Sequence, residues 1–353
     1  MYDLVVVGAG PAGSRLASEA SKRGFDVVVL ERGEVGKPLA CSGHLSGDIW
    51  DFLPESARSL IQNEIKGARF HAGGETYEFY KDETVSYAID RVEMDKLLAR
   101  EAEKNGAEVL TNHEVVDLKT EEDSVRAEVK GGKEFESRLL AGCDGPGSFV
   151  RKNTGMKEPK RILQGILAFS DENDDSDFVD VYLDIPDFFG WRIPRGDSVE
   201  YGAASSKHVK ERFDRIVSPE EEIRKLCGGR IPVGPPEETV KGRVFLVGDA
   251  AGQVKPFTGG GIIYGMTSAD IAADVMDPQD PKSLKDYERG WRRELGREIR
   301  LGNLLRKGYT APPVLQRLGL SLFEGEINVH MDRPTTLFNR ETARRVVKNA
   351  MGF

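Results

Sequence analysis

Gly8-Ala9-Gly10-Pro11-Ala12-Gly13 stands between two apolar runs, Leu4 to Val7 and Val27 to Leu30, and the second run stops at Glu31-Arg32. These residue types at this spacing suit the binding of a dinucleotide. Gly8 permits a tight turn, Gly10 lets the backbone approach a pyrophosphate, and Gly13 lets a helix pack close to the strand. Ala12 completes the small-residue turn. The helix N-terminus offers free N–H groups and a positive dipole to the phosphates. Glu31, with Arg32 beside it, is placed to accept both hydroxyls of a ribose. Strand, turn, helix, strand and acid fall in this order within the first 31 residues. A glycine turn that serves structure alone is the plainer alternative.

Two later motifs select FAD over NAD. The first is an apolar strand that ends in Gly248-Asp249-Ala250-Ala251-Gly252, followed by Pro256-Phe257-Thr258-Gly259-Gly260-Gly261-Ile262 and a helix of small residues. Asp249 can bind a sugar or ribityl hydroxyl. Gly259, Gly260, Gly261 and Ile262, at the next helix start, can meet the second phosphate or the flavin ring. The second motif is Gly142-Cys143-Asp144-Gly145-Pro146-Gly147-Ser148, with Arg151 close behind. Only one GxGxxG is present, so no separate nicotinamide-binding unit is expected.

The elements that must carry these residues belong to a chain of 353 residues, 39% hydrophobic and 31% charged, with a formal net charge of -9 and a pI near 5.3. That composition describes a soluble globular protein of two domains, or one interleaved one, and argues against nucleic acid as a partner. No apolar run reaches the length of a transmembrane helix, and no basic n-region precedes the first strand. Cys41, Cys143 and Cys227 are too few and too widely spaced for a disulfide framework or a zinc site. A cytoplasmic location and no structural metal are the expectations.

The expected fold class is α/β: a Rossmann-type FAD-binding domain interleaved with an antiparallel-sheet substrate domain, plus a helical C-terminal region. The FAD-binding pieces are 1–66, 90–160 and 237–285, the sheet pieces 67–89 and 161–236, and the helical region 286–353. Alternating apolar residues in "ARFHAG", "TYEFY", "VSYAI", "FVDVYL" and "VEYGAAS" support the sheet. Gly228 to Pro236 reads as a crossing between the two parts.

Taken together, GxGxxG…ER, DRxxMD (Asp90-Arg91 to Asp95), GCDGxxSxxR and GDAAG…PFTGGGI resemble the flavoprotein fold of the p-hydroxybenzoate hydroxylase type, from Tyr2 to about Ala273. The resemblance implies that Arg91 contacts the FAD phosphates or ribose, Asp249 the ribityl and pyrophosphate region, and Asp144-Gly145 the flavin or its adenylate half. A surface helix-capping arginine is the alternative for Arg91.

Within the sheet, Phe188-Phe189-Gly190-Trp191-Arg192-Ile193-Pro194 and the later Gly202-Ala203-Ala204 resemble the geranylgeranyl reductase pattern, in which an aromatic-x-Trp-x-Phe-Pro run precedes Gly-x-Gly. Ile193 replaces the Phe, and Ala204 the last Gly. Phe189, Trp191, Pro194 and Gly202 are then the implied substrate wall, against the alternative of an ordinary sheet core. Cys41-Ser42-Gly43-His44 is similar to that family's Cys- and Gly-rich loop, which folds toward the flavin. Cys41 and Gly43 would touch the cofactor, and Cys41 or His44 would supply a proton; a buried small hydrophobe and a solvated histidine are the alternatives.

The implied reaction is FAD-dependent saturation of C=C bonds in the isoprenoid chains of archaeal ether lipids or their precursors. Electrons would come from NAD(P)H or from reduced ferredoxin as a partner. An FAD monooxygenase or quinone-ring reductase of the same fold is the rival, and a flavin-bearing electron carrier or lipid-binding protein without turnover is a third reading.

Residues 285–307 carry eight Lys/Arg against four Asp/Glu, with Trp291, Leu295 and Ile299 at helical spacing. This pattern fits a peripheral contact with anionic lipid, or a helix packed on the core with a solvated basic face. "APPVLQRLGLSLFEG" and "TARRVVKNAM" predict two further short helices.

Overall fold

The computed structural model describes residues 1–39, 41–185, 187–217, 222–326, 330–338, 342 and 344. The chain divides into two compact units, each assembled from three stretches. Unit 1 comprises Met1–Pro38, Val92–Ile162 and Ile231–Ile299; unit 2 comprises Leu39–Arg91, Leu163–Arg230 and Arg300–Phe353.

Unit 1 is built on a sheet whose main path runs Val240–Lys241, Val244–Leu246, Glu134–Gly142, Tyr2–Val7, Val27–Leu30 and Glu108–Leu110. All neighbours from Val244–Leu246 to Glu108–Leu110 are parallel. Parallel strands covered on both faces read as unbroken apolar runs, and Val27–Leu30 is buried at every position. Small residues on helices Pro11–Lys22 and Ile262–Val275, among them Ala17, Ala20, Ala269 and Ala272, join the core on one face of this sheet.

Helix Leu284–Leu305 belongs mostly to the same unit, which corrects the boundary expected at residue 285. Tyr287, Trp291, Leu295 and Ile299 recur every fourth residue and are 0, 0, 6 and 3% exposed, and Trp291 Nε1–H donates to Thr239 Oγ1 at 3.1 Å. The apolar stripe is therefore core. Trp291 does not face a lipid surface, because burying an indole against the sheet requires only the same periodicity.

Among the described residues, unit 2 holds two sheets. His44–Ser46 and Ile61–Ile65 pair antiparallel with Ser86–Ile89. This pairing draws residues 39–66 into unit 2, where the sequence placed them in the FAD-binding domain. The larger sheet runs Ile223–Val233, Arg161–Ser170, Val199–Ser205, Gly190–Pro194, Phe178–Tyr182, Gly67–Ala72, Glu75–Tyr80, Gly325–Glu326. It is antiparallel through its centre but parallel where Phe178–Tyr182 meets Gly67–Ala72 and where Gly325–Glu326 meets Glu75–Tyr80, so the sheet is mixed. The crossing read at Gly228 to Pro236 falls at residues 230 and 231, within strand Ile223–Val233 rather than in a loop. Helix Pro313–Phe323 matches the first C-terminal expectation. The second, at 342–351, lies outside the described residues except for Thr342 and Arg344. Among the described residues, no helix is long and apolar enough to cross a membrane.

Candidate functional site

In unit 1 the first glycine turn is closed on two sides and open on a third. Gly8 has φ of 102°, and a Cβ there would lie 2.6 Å from the Cys143 carbonyl oxygen; a Cβ on Gly13 would lie 2.0 Å from the Gly8 carbonyl oxygen. Nothing stands within 4 Å of a Cβ built on Gly10, which caps helix Pro11–Lys22 in an extended conformation. The open space thus adjoins the unpaired N–H groups of the helix's first turn. Glu31 is held from both sides: Oε2 accepts the Ala9 N–H at 2.9 Å and Oε1 the Gly33 N–H at 3.1 Å. Each oxygen keeps a further lone pair for a ribose hydroxyl. Arg32 is exposed.

The second turn, Gly248–Ala251, is fixed by a buried chain of bonds. The Gly248 N–H donates to Gln253 Oε1 (2.7 Å), Gln253 Nε2 to the Tyr287 hydroxyl (2.9 Å), and that hydroxyl to the Leu246 carbonyl (2.6 Å). The Gly248 N–H is therefore spent inside the protein. Gly261 leaves room for Asp249, since a Cβ there would sit 2.5 Å from Oδ1. The Gly259 N–H donates to the Lys255 carbonyl, the Lys255 N–H to the Gly260 carbonyl, and Ile262 opens the helix that follows.

Asp144 accepts the Val150 N–H on Oδ2 at 3.0 Å, while burial pushes its pKa up against the pull of Ser148 and nearby N–H groups. Gly145 follows in a left-handed conformation (φ 77°). Arg151, fully buried, ties this turn to the other: Nη1 donates to the Ala250 carbonyl at 2.8 Å and Nη2 to that of Pro146 at 2.9 Å. Two buried oxygens here, Asp144 Oδ1 and Thr258 Oγ1, have no hydrogen-bond partner among the described residues. Open space at Gly10 and two orphaned polar atoms fit a dinucleotide with many hydroxyls, as FAD is.

In unit 2 Gly43, two residues after Cys41, lies against Arg91, the first residue of helix Arg91–Lys104. A Cβ on Gly43 would lie 2.5 Å from Arg91 Cγ and from the Ile89 carbonyl oxygen. Cys41 is half-buried. His44 opens strand His44–Ser46, and its Nε2 lies 2.8 Å from Ser86 Oγ, so its ring is engaged within the small sheet.

The aromatic run forms a wall on the larger sheet. Trp191 and Gly202 are cross-strand partners, and a Cβ on Gly202 would come within 2.1 Å of the Trp191 ring carbons. Gly202 is thus the seat of the indole. Phe189 packs edge-on to Trp191 (6.0 Å between centroids) and stacks on the buried Phe188 at 4.3 Å. Pro194 ends its strand opposite Val199, and its carbonyl accepts Asn63 Nδ2–H at 3.0 Å, so it closes the strand without breaking the sheet.

Three residues of this wall were not marked by the sequence motifs. Tyr309 packs against Phe188 and Phe189, each at 5.6 Å, and its burial pushes the hydroxyl pKa well above the usual value. Glu200, fully buried, accepts Trp191 Nε1–H on Oε1 and Arg195 Nη2–H on Oε2, both at 2.8 Å. Its signal in the sequence is an acid inside the otherwise apolar strand Val199–Ser205. Arg195 is 5% exposed.

A family model described as an FAD binding domain matches residues 1–182. The digeranylgeranylglycerophospholipid reductase of Methanothrix thermoacetophila is 31% identical over 330 residues, covering 84% of this chain and 84% of that protein. Digeranylgeranylglycerophospholipid reductase 2 of Methanococcoides burtonii is 32% identical over 340 residues, covering 84% and 82%. The crystal structure of a geranylgeranyl bacteriochlorophyll reductase-like protein from Thermoplasma acidophilum superposes with a TM-score of 0.86 over 99% of this chain and 98% of that one, at 24% identity. The fold is shared across that distance.

Proposed function

Since the chain belongs to the family of FAD-binding digeranylgeranylglycerophospholipid reductases, we propose that it saturates C=C bonds in the geranylgeranyl chains of a membrane lipid or its precursor. The observation that carries this reading is the wall of Phe188, Phe189, Trp191 and Tyr309, seated on Gly202 in the same unit as the Cys41 loop. An isolated alkene has no carbonyl to absorb charge, so orientation in a dry apolar site and a placed proton must do the work.

When bound, reduced FAD supplies the hydride. Gly8, Gly10, Gly13, Glu31, Asp144, Asp249 and Thr258 are the unit 1 residues that would hold the cofactor. The aromatic wall grips the prenyl chain and keeps water from the reacting bond. Cys41 Sγ–H gives a proton to the alkene carbon that does not receive the hydride, and the thiolate is reprotonated from solvent. We assign the proton to Cys41 rather than His44 because Ser86 engages the His44 ring. Cys41→Ser should slow single-turnover formation of saturated lipid by about a hundredfold, with dithionite reduction of the flavin unchanged. Equal rates of lipid reduction in both proteins would remove the thiol from the mechanism.

The lipid-facing surface in this proposal is not the Trp291 stripe but residues 300–323, which carry four Lys/Arg and no Asp/Glu on a chain of net charge -9. Leu304, Val314, Leu315 and Leu318 are 58, 68, 57 and 56% exposed in this basic stretch, an arrangement suited to an anionic bilayer. Wild-type protein should co-float with anionic vesicles at low salt, and L315E/L318E should do so about tenfold less. Wild-type protein left at the bottom of the gradient would contradict this surface.

A further inference from the structure

The acid beneath Trp191 does more than accept its N–H. Glu200 lies on a strand, fully buried, and shares its second oxygen with Arg195. The same Arg195 Nη2 donates to the Ser42 carbonyl, in the loop between Cys41 and Gly43. Arg195 Nη1 donates to Gln62 Oε1 and lies 3.5 Å from the Ile89 carbonyl, two residues before Arg91. A continuous path of hydrogen bonds therefore runs from the indole of the wall, through two buried charges, to the backbone of the thiol loop.

Such a pair is a poor way to gain stability. Desolvation of both charges offsets their attraction, and well-packed apolar residues of the same volume commonly do as well or better. Its geometry accounts for it differently. One carboxylate fixes the rotation of the Trp191 ring over Gly202, and the guanidinium shared with it fixes Ser42.

We propose that Glu200 and Arg195 are positioning residues that set the Trp191 wall and the Cys41 loop in one fixed relation, so that grip on the prenyl chain and proton supply address the same bond. This rests on the reductase reading for its consequence in turnover, but not for the mechanical link itself.

The test is the apolar pair E200L/R195M, made in a Cys227→Ser background so that Cys41 is the reactive thiol; Cys143 is buried. The variant should fold with flavin content and melting temperature near those of its parent. Alkylation of Cys41 should quicken about tenfold as the loop loses its tether, and kcat for lipid reduction should fall by about tenfold with KM less affected. Alkylation at the parental rate would overturn the inference whatever the turnover. If the apolar pair does not fold, Arg195→Lys keeps a cation beside Glu200 but lacks the guanidinium fork that also reaches the Ser42 carbonyl. It should still quicken Cys41 alkylation, and an unchanged rate there would equally overturn the link. Parent protein that leaves every prenyl lipid unreduced would sink the reductase reading alone, with the alkylation rates still deciding the tether.

Discussion

Gly13→Ala protein is expected to purify almost free of flavin. A Cβ at this position would stand 2.0 Å from the Gly8 carbonyl oxygen and 3.1 Å from Cys143 Cβ, and the first of these is backbone that no rotamer change can clear. Either the helix Pro11–Lys22 moves away from strand Tyr2–Val7 or the turn at Gly8 opens. Both displace the N–H groups at the helix start from the phosphate position. Overpacking of this kind costs on the order of 3 kcal/mol, which is about a hundredfold in cofactor affinity. The sheet itself is secured by Leu4, Val6, Val27 and Val29, all buried, so the variant should remain folded. Flavin absorbance per mole of purified protein reads the effect. A full complement of flavin in Gly13→Ala would mean that the cofactor does not sit on this turn.

Trp191→Ala should do the opposite: keep the flavin and lose the reaction. The indole lies in unit 2, on the cross-strand pair with Gly202, whereas the turns of Gly8 and Asp249 belong to unit 1. Truncation removes the face that meets Phe189 and leaves Glu200 without one of its two donors. Loss of such a contact and of the orientation it imposes should lower kcat/KM for the prenyl lipid by about a hundredfold, or about 3 kcal/mol of transition-state stabilisation. Glu200, still paired with Arg195, limits the loss of fold stability. Retained turnover would reduce Trp191 to an ordinary core residue, and lost flavin would tie it to the cofactor instead.

What the sequence disclosed and what it hid follow from the range of the interactions. The strand–turn–helix at Gly8 to Glu31 is built from neighbours along the chain, so residue types and spacing suffice to read it. Trp191 and Gly202 were legible as a spaced pair, but the reason for the glycine appears only once strand register sets it under the ring. Tyr309 reaches Phe188 from a distant part of the chain, and no local pattern announces a contact of that kind. The helix around Trp291 shows the limit most plainly. A stripe every fourth residue states that one face is apolar without stating what covers it, and here the sheet core does. The first domain boundary was placed late because His44–Ser46 is three residues long, too short to show a period, yet its pairing assigns the Cys41 loop to unit 2.

The central claim, that this chain delivers a hydride and a proton to isolated prenyl double bonds, is tested most directly by mass spectrometry of a geranylgeranyl lipid. The lipid is incubated with dithionite-reduced protein under nitrogen, and in parallel with NADPH in air. A gain of about two mass units per double bond without oxygen is the predicted result. A gain of about sixteen that requires oxygen would contradict it, and would make the Trp191 wall the pocket of a monooxygenase.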